Sequence, residues 1–168
     1  MIKAYLGLGA NLGDPVQQIL DARRSLFALP GVTQARSSSL YLSSAVGPGS
    51  SGEYVNCVVE LGGQLSLADL FDAMQGIEVE LGRVRSADNR NESRYIDIDL
   101  LVFDQLQQDD PVLTLPHPRL HERLFVLLPL LEIAPQISIQ PLGQISDILQ
   151  RGRDGQVFAG QDIVKLGA

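Results

Sequence analysis

An α+β fold, with an antiparallel sheet and helices on one of its faces, is what this sequence predicts. Three observations lead there. Apolar runs of strand length occur at Ile2–Leu8, Tyr54–Leu61 and Tyr95–Phe103; two segments between them carry apolar residues at helical spacing; and the elements follow a recognisable order. That order is strand, helix, strand, strand, helix, strand, the split βαβ pattern of ferredoxin-like sheets.

The first strand, Ile2–Leu8, is expected to end in a tight glycine-rich turn, Gly7-Leu8-Gly9-Ala10-Asn11-Leu12-Gly13. Asp14-Pro15 then reads as an N-cap followed by proline at the first helical position. Val16, Ile19, Leu20, Leu26 and Phe27 share a helical face, and Pro30-Gly31 stops that helix. Val32–Leu42 suits one long strand and Ser43–Glu53, rich in Gly and Ser, a long mobile loop before Tyr54–Leu61. Ser66 with Asp69 resembles a capping box, ahead of a helix that buries Leu67, Leu70, Phe71, Met74, Ile77 and Leu81. Gly82–Ser93 is a polar, arginine-rich loop leading into the strand Tyr95–Phe103. Beyond it the pattern predicts a turn at Asp109-Asp110-Pro111, a helix within Glu122–Leu131, a short strand near Ile137 and a helix near Ser146–Gln150. The polar tail after Arg153 carries no assignable pattern. Without repeats or a dividing linker, residues 1–168 read as a single domain.

Composition narrows the function classes. Of 168 residues, 45% are hydrophobic and 20% charged, ordinary for a globular protein, and the formal net charge is −7. An acidic chain lacks the basic face by which non-specific nucleic-acid binders release counterions, yet a local basic pocket for a small anion remains compatible with it. Cys57, the single cysteine, sits in an apolar run and reads as an inert core thiol. The most apolar stretch, Leu124–Leu131, contains Pro129 and is too short to span a bilayer. With a strand rather than a charged leader at its start, the expectation is a cytoplasmic protein bound to neither membrane nor nucleic acid.

The sharpest chemical signal is Arg94-Tyr95-Ile96-Asp97-Ile98-Asp99-Leu100-Leu101. Side chains alternate along a strand, so Asp97 and Asp99 share one face, opposite Ile96, Ile98 and Leu100. Two carboxylates at that spacing repel and need compensation; a solvent-facing strand edge supplies one form of it, a hard divalent cation another. Arg83, Arg85, Arg90 and Arg94, just upstream, are the donors a polyphosphate needs once metals hold its other oxygens. Pro116-His117-Pro118-Arg119-Leu120-His121-Glu122-Arg123 adds imidazoles and guanidinium groups at a helix start, either as a polar cap or as further phosphate ligands. The Gly7 region lacks the Lys-Ser/Thr ending of a P-loop and the dinucleotide fingerprint. Tyr54 and Asn56, on one face of a strand, pair an aromatic plane with an amide, which suits a flat heterocycle as well as it suits ordinary strand packing.

Several blocks, in this order and spacing, resemble the 6-hydroxymethyl-7,8-dihydropterin pyrophosphokinase family from Tyr5 to roughly Leu149. They are Leu6–Gly13, Val46-Gly47-Pro48, Tyr54-Val55-Asn56, Gln75-Gly76-Ile77-Glu78 ahead of Gly82-Arg83, Arg94–Asp99, and Pro116–Arg123. The resemblance implies a ferredoxin-like core with added C-terminal helices and a short extra strand. It also implies transfer of diphosphate from ATP to the pterin hydroxymethyl group in folate biosynthesis, with release of AMP. Asp97 and Asp99 would hold two Mg²⁺ ions that bridge the ATP phosphates. Arg83 and Arg94 fall at catalytic positions, and Gln75, Glu78, Arg85, Ile98, His117 and Arg123 at ATP-binding ones. Ser43, Ser44, Val46, Tyr54, Asn56 and Phe125 correspond to the pterin pocket, the ring lying between Tyr54 and Phe125. Loops that close over bound substrates, and a monomer, are likewise implied. The arginine-rich loop departs from the family pattern: Ser86 stands where many relatives have lysine, and Asn91-Glu92-Ser93 where many have an aromatic residue and Gly-Pro. Arg85 or Arg90 is expected to compensate. A non-catalytic ligand-binding module, or another metal-dependent phosphotransferase or nuclease, are the rival readings; the aspartate pair with its arginines opposes the first, the acidic balance a nuclease.

Overall fold

Nine residues of the first strand, Ile2–Ala10 (β1), form the centre of the molecule. The structure, a computed structural model, describes residues 1–47, 51–82 and 95–167. After β1 come α1 (Pro15–Phe27), β2 (Val32–Ser37), β3 (Tyr41–Ser44), β4 (Glu53–Gly63), α2 (Leu67–Glu80) and β5 (Asp97–Phe103). A 3₁₀ turn at Leu120–Glu122 then leads into α3 (Leu124–Ile133), followed by β6 (Ser138–Ile139), β7 (Gly143–Gln144), α4 (Ile145–Asp154) and β8 (Ile163–Lys165). The main sheet runs β5-β1-β4-β3-β8, with β2 also paired to β4, and every pairing is antiparallel. This is the ferredoxin-like arrangement that the element order predicts.

The helix starts follow local chemistry. The Asp14 side chain accepts from the Gln17 N–H at 3.1 Å, with Pro15 inside the first turn. Ser66 Oγ accepts from the Asp69 N–H at 3.3 Å.

Alternation along β1 divides the molecule into two cores. Ala4, Leu6, Leu8 and Ala10 pack with Ile19, Ala22 and Leu26 of α1 and Leu70, Met74 and Ile77 of α2. Tyr5, on the other side, packs with Val58, Leu101 and Val102 against Val126, Leu127 and Leu130 of α3 and Ile148 and Leu149 of α4. Helices therefore cover both faces of the sheet, and not one alone, because the residues after β5 return across its second face. Tyr5 pairs with Val102 but Leu6 with Leu100, a bulge that leaves Leu101 as the extra residue of β5. Leu101 and Val102 consequently both enter the second core, while Asp97 and Asp99 stay on that same face, one and two steps nearer the strand's start.

Four boundaries differ from the sequence expectations. Val32–Leu42 is two strands, since Ser38 leaves the ladder: its N–H donates to the Val58 carbonyl at 2.9 Å and its Oγ accepts from the Val58 N–H at 3.0 Å. Ser43 and Ser44 belong to β3, paired with Tyr54 and Glu53, and not to the loop expected to begin at Ser43. Gly7 and Gly9 lie inside β1, not in a turn, with the ladder to β4 continuing to Ala10. The tail is ordered by packing: the Phe158 ring rests on Gly152 of α4, where an added Cβ would overlap it, and β8 joins β3 at the sheet edge. Cys57 is buried, and burial pushes its thiol up to about 11, as suits an inert core position. Among the described residues, no helix is long and apolar enough to cross a membrane.

Candidate active site

The second face of the sheet is only half covered. Near Tyr5, Val58 and Leu101 it lies under α3 and α4; toward the C-terminal end of β1 it carries small and polar side chains. Cross-strand pairing sets the layout, because paired residues of an antiparallel ladder project to the same face. Asp99 lies opposite Gly7 and Asp97 opposite Gly9. Gly9 in turn pairs with Asn56, and Asn56 with Tyr41. The two aspartates thus stand beside a strip of β1 that has no side chains, and Asn56 stands on its far side. A Cβ on Gly9 would come within 3.2 Å of Asn56 Oδ1. This glycine floor escaped the sequence reading, which placed both glycines in a turn. The spacing Tyr5-Gly7-Gly9, with apolar residues between, is the signal that would have found it.

His117 and Arg123 face the aspartates. The Leu115–Pro116 bond is cis, and the His117 N–H donates to the Leu101 carbonyl at 2.8 Å, which holds this segment against β5. His117 Nε2 lies 3.9 Å and Arg123 Nη1 3.7 Å from Asp99 Oδ2. Burial, reinforced by the charge of Arg123, lowers the His117 imidazole to about 4, so the ring is neutral at physiological pH. Its Nδ1 accepts from the Arg119 N–H at 3.1 Å, which leaves the ring proton on Nε2, directed to the carboxylate side. Burial also lowers Arg123, opposed by Asp99; a guanidinium nonetheless stays charged. Arg119 is engaged elsewhere, with Nε 3.2 Å from Glu122 Oε2.

Asn56 is buried, and its Nδ2 donates to Ser43 Oγ at 2.7 Å and to the Tyr54 carbonyl at 3.3 Å. Tyr54 pairs with Ser43, so Ser43, Tyr54 and Asn56 form one polar patch on the open half-face. Phe125, in the first turn of α3, carries the Arg123 guanidinium 5.6 Å from its ring centroid, a cation–π contact joining the charged and aromatic parts of the site. Val46 follows β3, half-buried, as do Ser44 and Gln75 in their elements.

Two ATP-binding expectations meet a specific geometry. The Ile98 side chain belongs to the first core, and its N–H donates to Glu78 Oε1 at 2.8 Å. Glu78 is buried, 3% exposed, and through this bond it secures the strand of the aspartates. Arg83, Arg85, Arg90 and Arg94, with Ser86, Asn91-Glu92-Ser93 and Pro48, lie outside the described residues. No group of three or more His, Cys, Asp or Glu side chains among the described residues forms a metal cage. A carboxylate pair is nevertheless a donor set that suits Mg²⁺, which keeps several waters and takes substrate phosphates.

A ferredoxin-like sheet whose open half-face joins a carboxylate pair to a neutral histidine and a charged arginine defines a class: an α+β protein suited to a polyanion and a hard cation. A family model for 7,8-dihydro-6-hydroxymethylpterin-pyrophosphokinase (HPPK) matches residues 5–135. The chain is 35% identical to the 2-amino-4-hydroxy-6-hydroxymethyldihydropteridine pyrophosphokinase of Haemophilus influenzae, covering 99% of each chain. It is 37% identical to the protein of that name from Pseudomonas aeruginosa, over 88% of this chain and 90% of that one. This chain belongs to the 7,8-dihydro-6-hydroxymethylpterin-pyrophosphokinase family and is a pyrophosphokinase. The fold agrees. An HPPK-DHPS crystallised with substrates superposes with a TM-score of 0.67 at 12% identity, over 92% of this chain and 44% of the longer one. A Plasmodium falciparum HPPK-DHPS variant with pterin and p-hydrobenzoate gives 0.68 at 14% identity, over 95% and 46%.

Proposed function

We propose that this chain transfers the terminal diphosphate of ATP to the hydroxymethyl group of 6-hydroxymethyl-7,8-dihydropterin, forming the pterin diphosphate and AMP for folate biosynthesis. The observation that carries the reading is the shared face of Asp97, Asp99, His117 and Arg123 beside the Asn56–Ser43–Tyr54 patch: one half for a polyphosphate, the other for a flat heterocycle. The family membership and the 99% coverage of a pyrophosphokinase support it. The full chain, 1–168, is read as one domain acting as a cytoplasmic monomer.

In the balanced step, the pterin hydroxymethyl oxygen attacks the β-phosphorus of ATP. The bond from that phosphorus to the α–β bridging oxygen breaks, AMP leaves with the electron pair, and the hydroxyl proton passes to solvent. No side-chain base is assigned, because such transfers depend mainly on positioning and on stabilising charge over the phosphate oxygens. Two Mg²⁺ ions, held by Asp97 and Asp99, would supply charge neutralisation of the phosphates and a template for their alignment. Neutral His117 offers its Nε2–H to a phosphate oxygen without adding charge, and Arg123 offers a fixed guanidinium fork. Arg83, Arg85 and Arg94 are assigned to the ATP phosphates by their position in the family pattern. Asn56 reads the pterin edge through its amide, Ser43, Ser44 and Val46 flank it, and Tyr54 and Phe125 stack on its two faces.

The test is one incubation with ATP, Mg²⁺ and the pterin alcohol, with the nucleotides then separated. AMP should form in step with pterin diphosphate and disappear in Asp97→Ala and Asp99→Ala. ADP in its place would establish single-phosphoryl transfer and sink the reading.

A further inference from the structure

The residues matched by the family model end at 135, and the tail from Gly155 onward has no part in the reaction described above. It nevertheless reaches both walls of the pterin pocket, one through the Gln161 side chain and the other through the backbone of Asp162 and Ile163. Gln161 Oε1 accepts from the Leu124 N–H at 3.0 Å, and Gln161 Nε2 donates to the Glu122 carbonyl at 2.8 Å. These two backbone groups bracket Arg123, the N-cap of α3, whose own side chain makes no capping bond. A helix start needs partners for its first N–H groups, and here one comes from a residue 37 positions away in sequence. The next tail residue grips the opposite wall. The Asp162 N–H donates to Ser44 Oγ at 3.1 Å, the Ser44 N–H donates to the Asp162 carbonyl at 3.0 Å, and Ile163 pairs with Ser43.

We infer that Gln161 is a positioning residue: by bracketing Arg123 it sets where Arg123 and Phe125 stand relative to Ser43 and Asn56, and so sets the width of the pterin slot. The inference rests on the pterin assignment made above. Three further observations support it. Phe158, seated on Gly152, anchors the tail in the second core, so Gln161 projects from a fixed base. A cavity of about 430 Å³ lies among Val46, Glu122 and Gln161, so hydrogen bonds, and not close packing, hold the two walls apart at this point. The Arg123–Phe125 contact means that a shift of the first turn of α3 moves the phosphate and pterin groups together.

The experiment compares wild type, Gln161→Met and Gln161→Glu in steady-state kinetics, with amide exchange at Leu124 read by NMR. Gln161→Met keeps the length and removes the bonds to Leu124 and Glu122, together with a longer one to the Val157 carbonyl within the tail. It should raise the KM for the pterin about fivefold, raise the KM for ATP to a smaller extent, and speed Leu124 exchange. Gln161→Glu keeps the acceptor for Leu124 and loses the donor to Glu122, so its pterin KM should fall between the other two. A merely structural role would lower the melting temperature and leave both KM values alone well below it; that result, or slow Leu124 exchange retained in Gln161→Met, overturns the inference. If Gln161→Met does not fold, Gln161→Glu with an unaltered pterin KM overturns it alone. Wild-type protein that makes no AMP removes the pterin assignment and this inference with it, an outcome distinct from an active enzyme indifferent to Gln161.

Discussion

The two faces of β1 make the instructive comparison. On one, Ala4, Leu6, Leu8 and Ala10 are almost wholly buried between α1 and α2. On the other, Tyr5 is buried, and then Gly7 and Gly9 leave bare backbone beside Asp99 and Asp97. One strand therefore contributes apolar burial with its even positions and, with its odd ones, a surface that substrates can approach closely. Stability and chemistry are separated by a half-turn of the backbone, so substitutions one residue apart should act on different observables.

The largest expected contrast sets Asp99→Asn against Leu6→Ala. Asp99→Asn removes one carboxylate charge and should lower turnover about a thousandfold, with the melting temperature changed little, since relief of the repulsion with Asp97 offsets the weaker hold on Arg123. Leu6→Ala opens a cavity in a fully buried position and should cost about 3 kcal/mol in urea unfolding, while activity per folded molecule survives. Equal losses of activity and stability in both variants would abolish the division between the faces. A smaller effect sharpens it: Gly9→Val places a branched side chain against Asn56 Oδ1 and should raise the pterin KM about tenfold, with kcat changed less.

The smallest effect concerns charges on the second face away from the site. Burial opposes ionisation of Glu60, but Arg36, at 2.9 Å, the Tyr5 hydroxyl and Lys3 outweigh it and hold the carboxyl below its usual range. Burial likewise opposes ionisation of Glu132, and the Tyr41 hydroxyl, the Ser39 N–H and hydroxyl, and Lys165 outweigh it. A carboxyl depressed in the folded state binds fewer protons there than in the unfolded chain. Its stabilisation is present above the ordinary glutamate value of about 4.3 and lost as pH falls through the lowered one. Unfolding free energy should therefore decline on acidification below about pH 4.5, and the decline should be shallower in Glu60→Gln and Glu132→Gln. Identical slopes in all three proteins would show that these clusters do not govern acid stability.

What the sequence made legible was local. The Asp14 and Ser66 caps, the helical faces of α1 and α2 and the shared face of Asp97 and Asp99 all depend on neighbours within a few positions. The features that escaped it depend on distant partners. Nothing within Val32–Leu42 marks the break at Ser38 except a run of three serines; the cause is Val58 on another strand. Gly7 and Gly9 look like turn residues until β4 and β5 flank them. β8 is three residues long and acquires meaning only against Ser43. Gln161 likewise carries no motif, since its partners at Glu122 and Leu124 are backbone atoms.

The bond from the Ile98 N–H to Glu78 has one more consequence. Among the described residues β5 pairs with β1 alone, so its other side is an edge there, and an edge with open donors is a template for a strand from another chain. Glu78 occupies that donor between the two aspartates with a buried carboxylate. A strand arriving from another chain would find that hydrogen bond already made, at the point where β5 carries its two carboxylates.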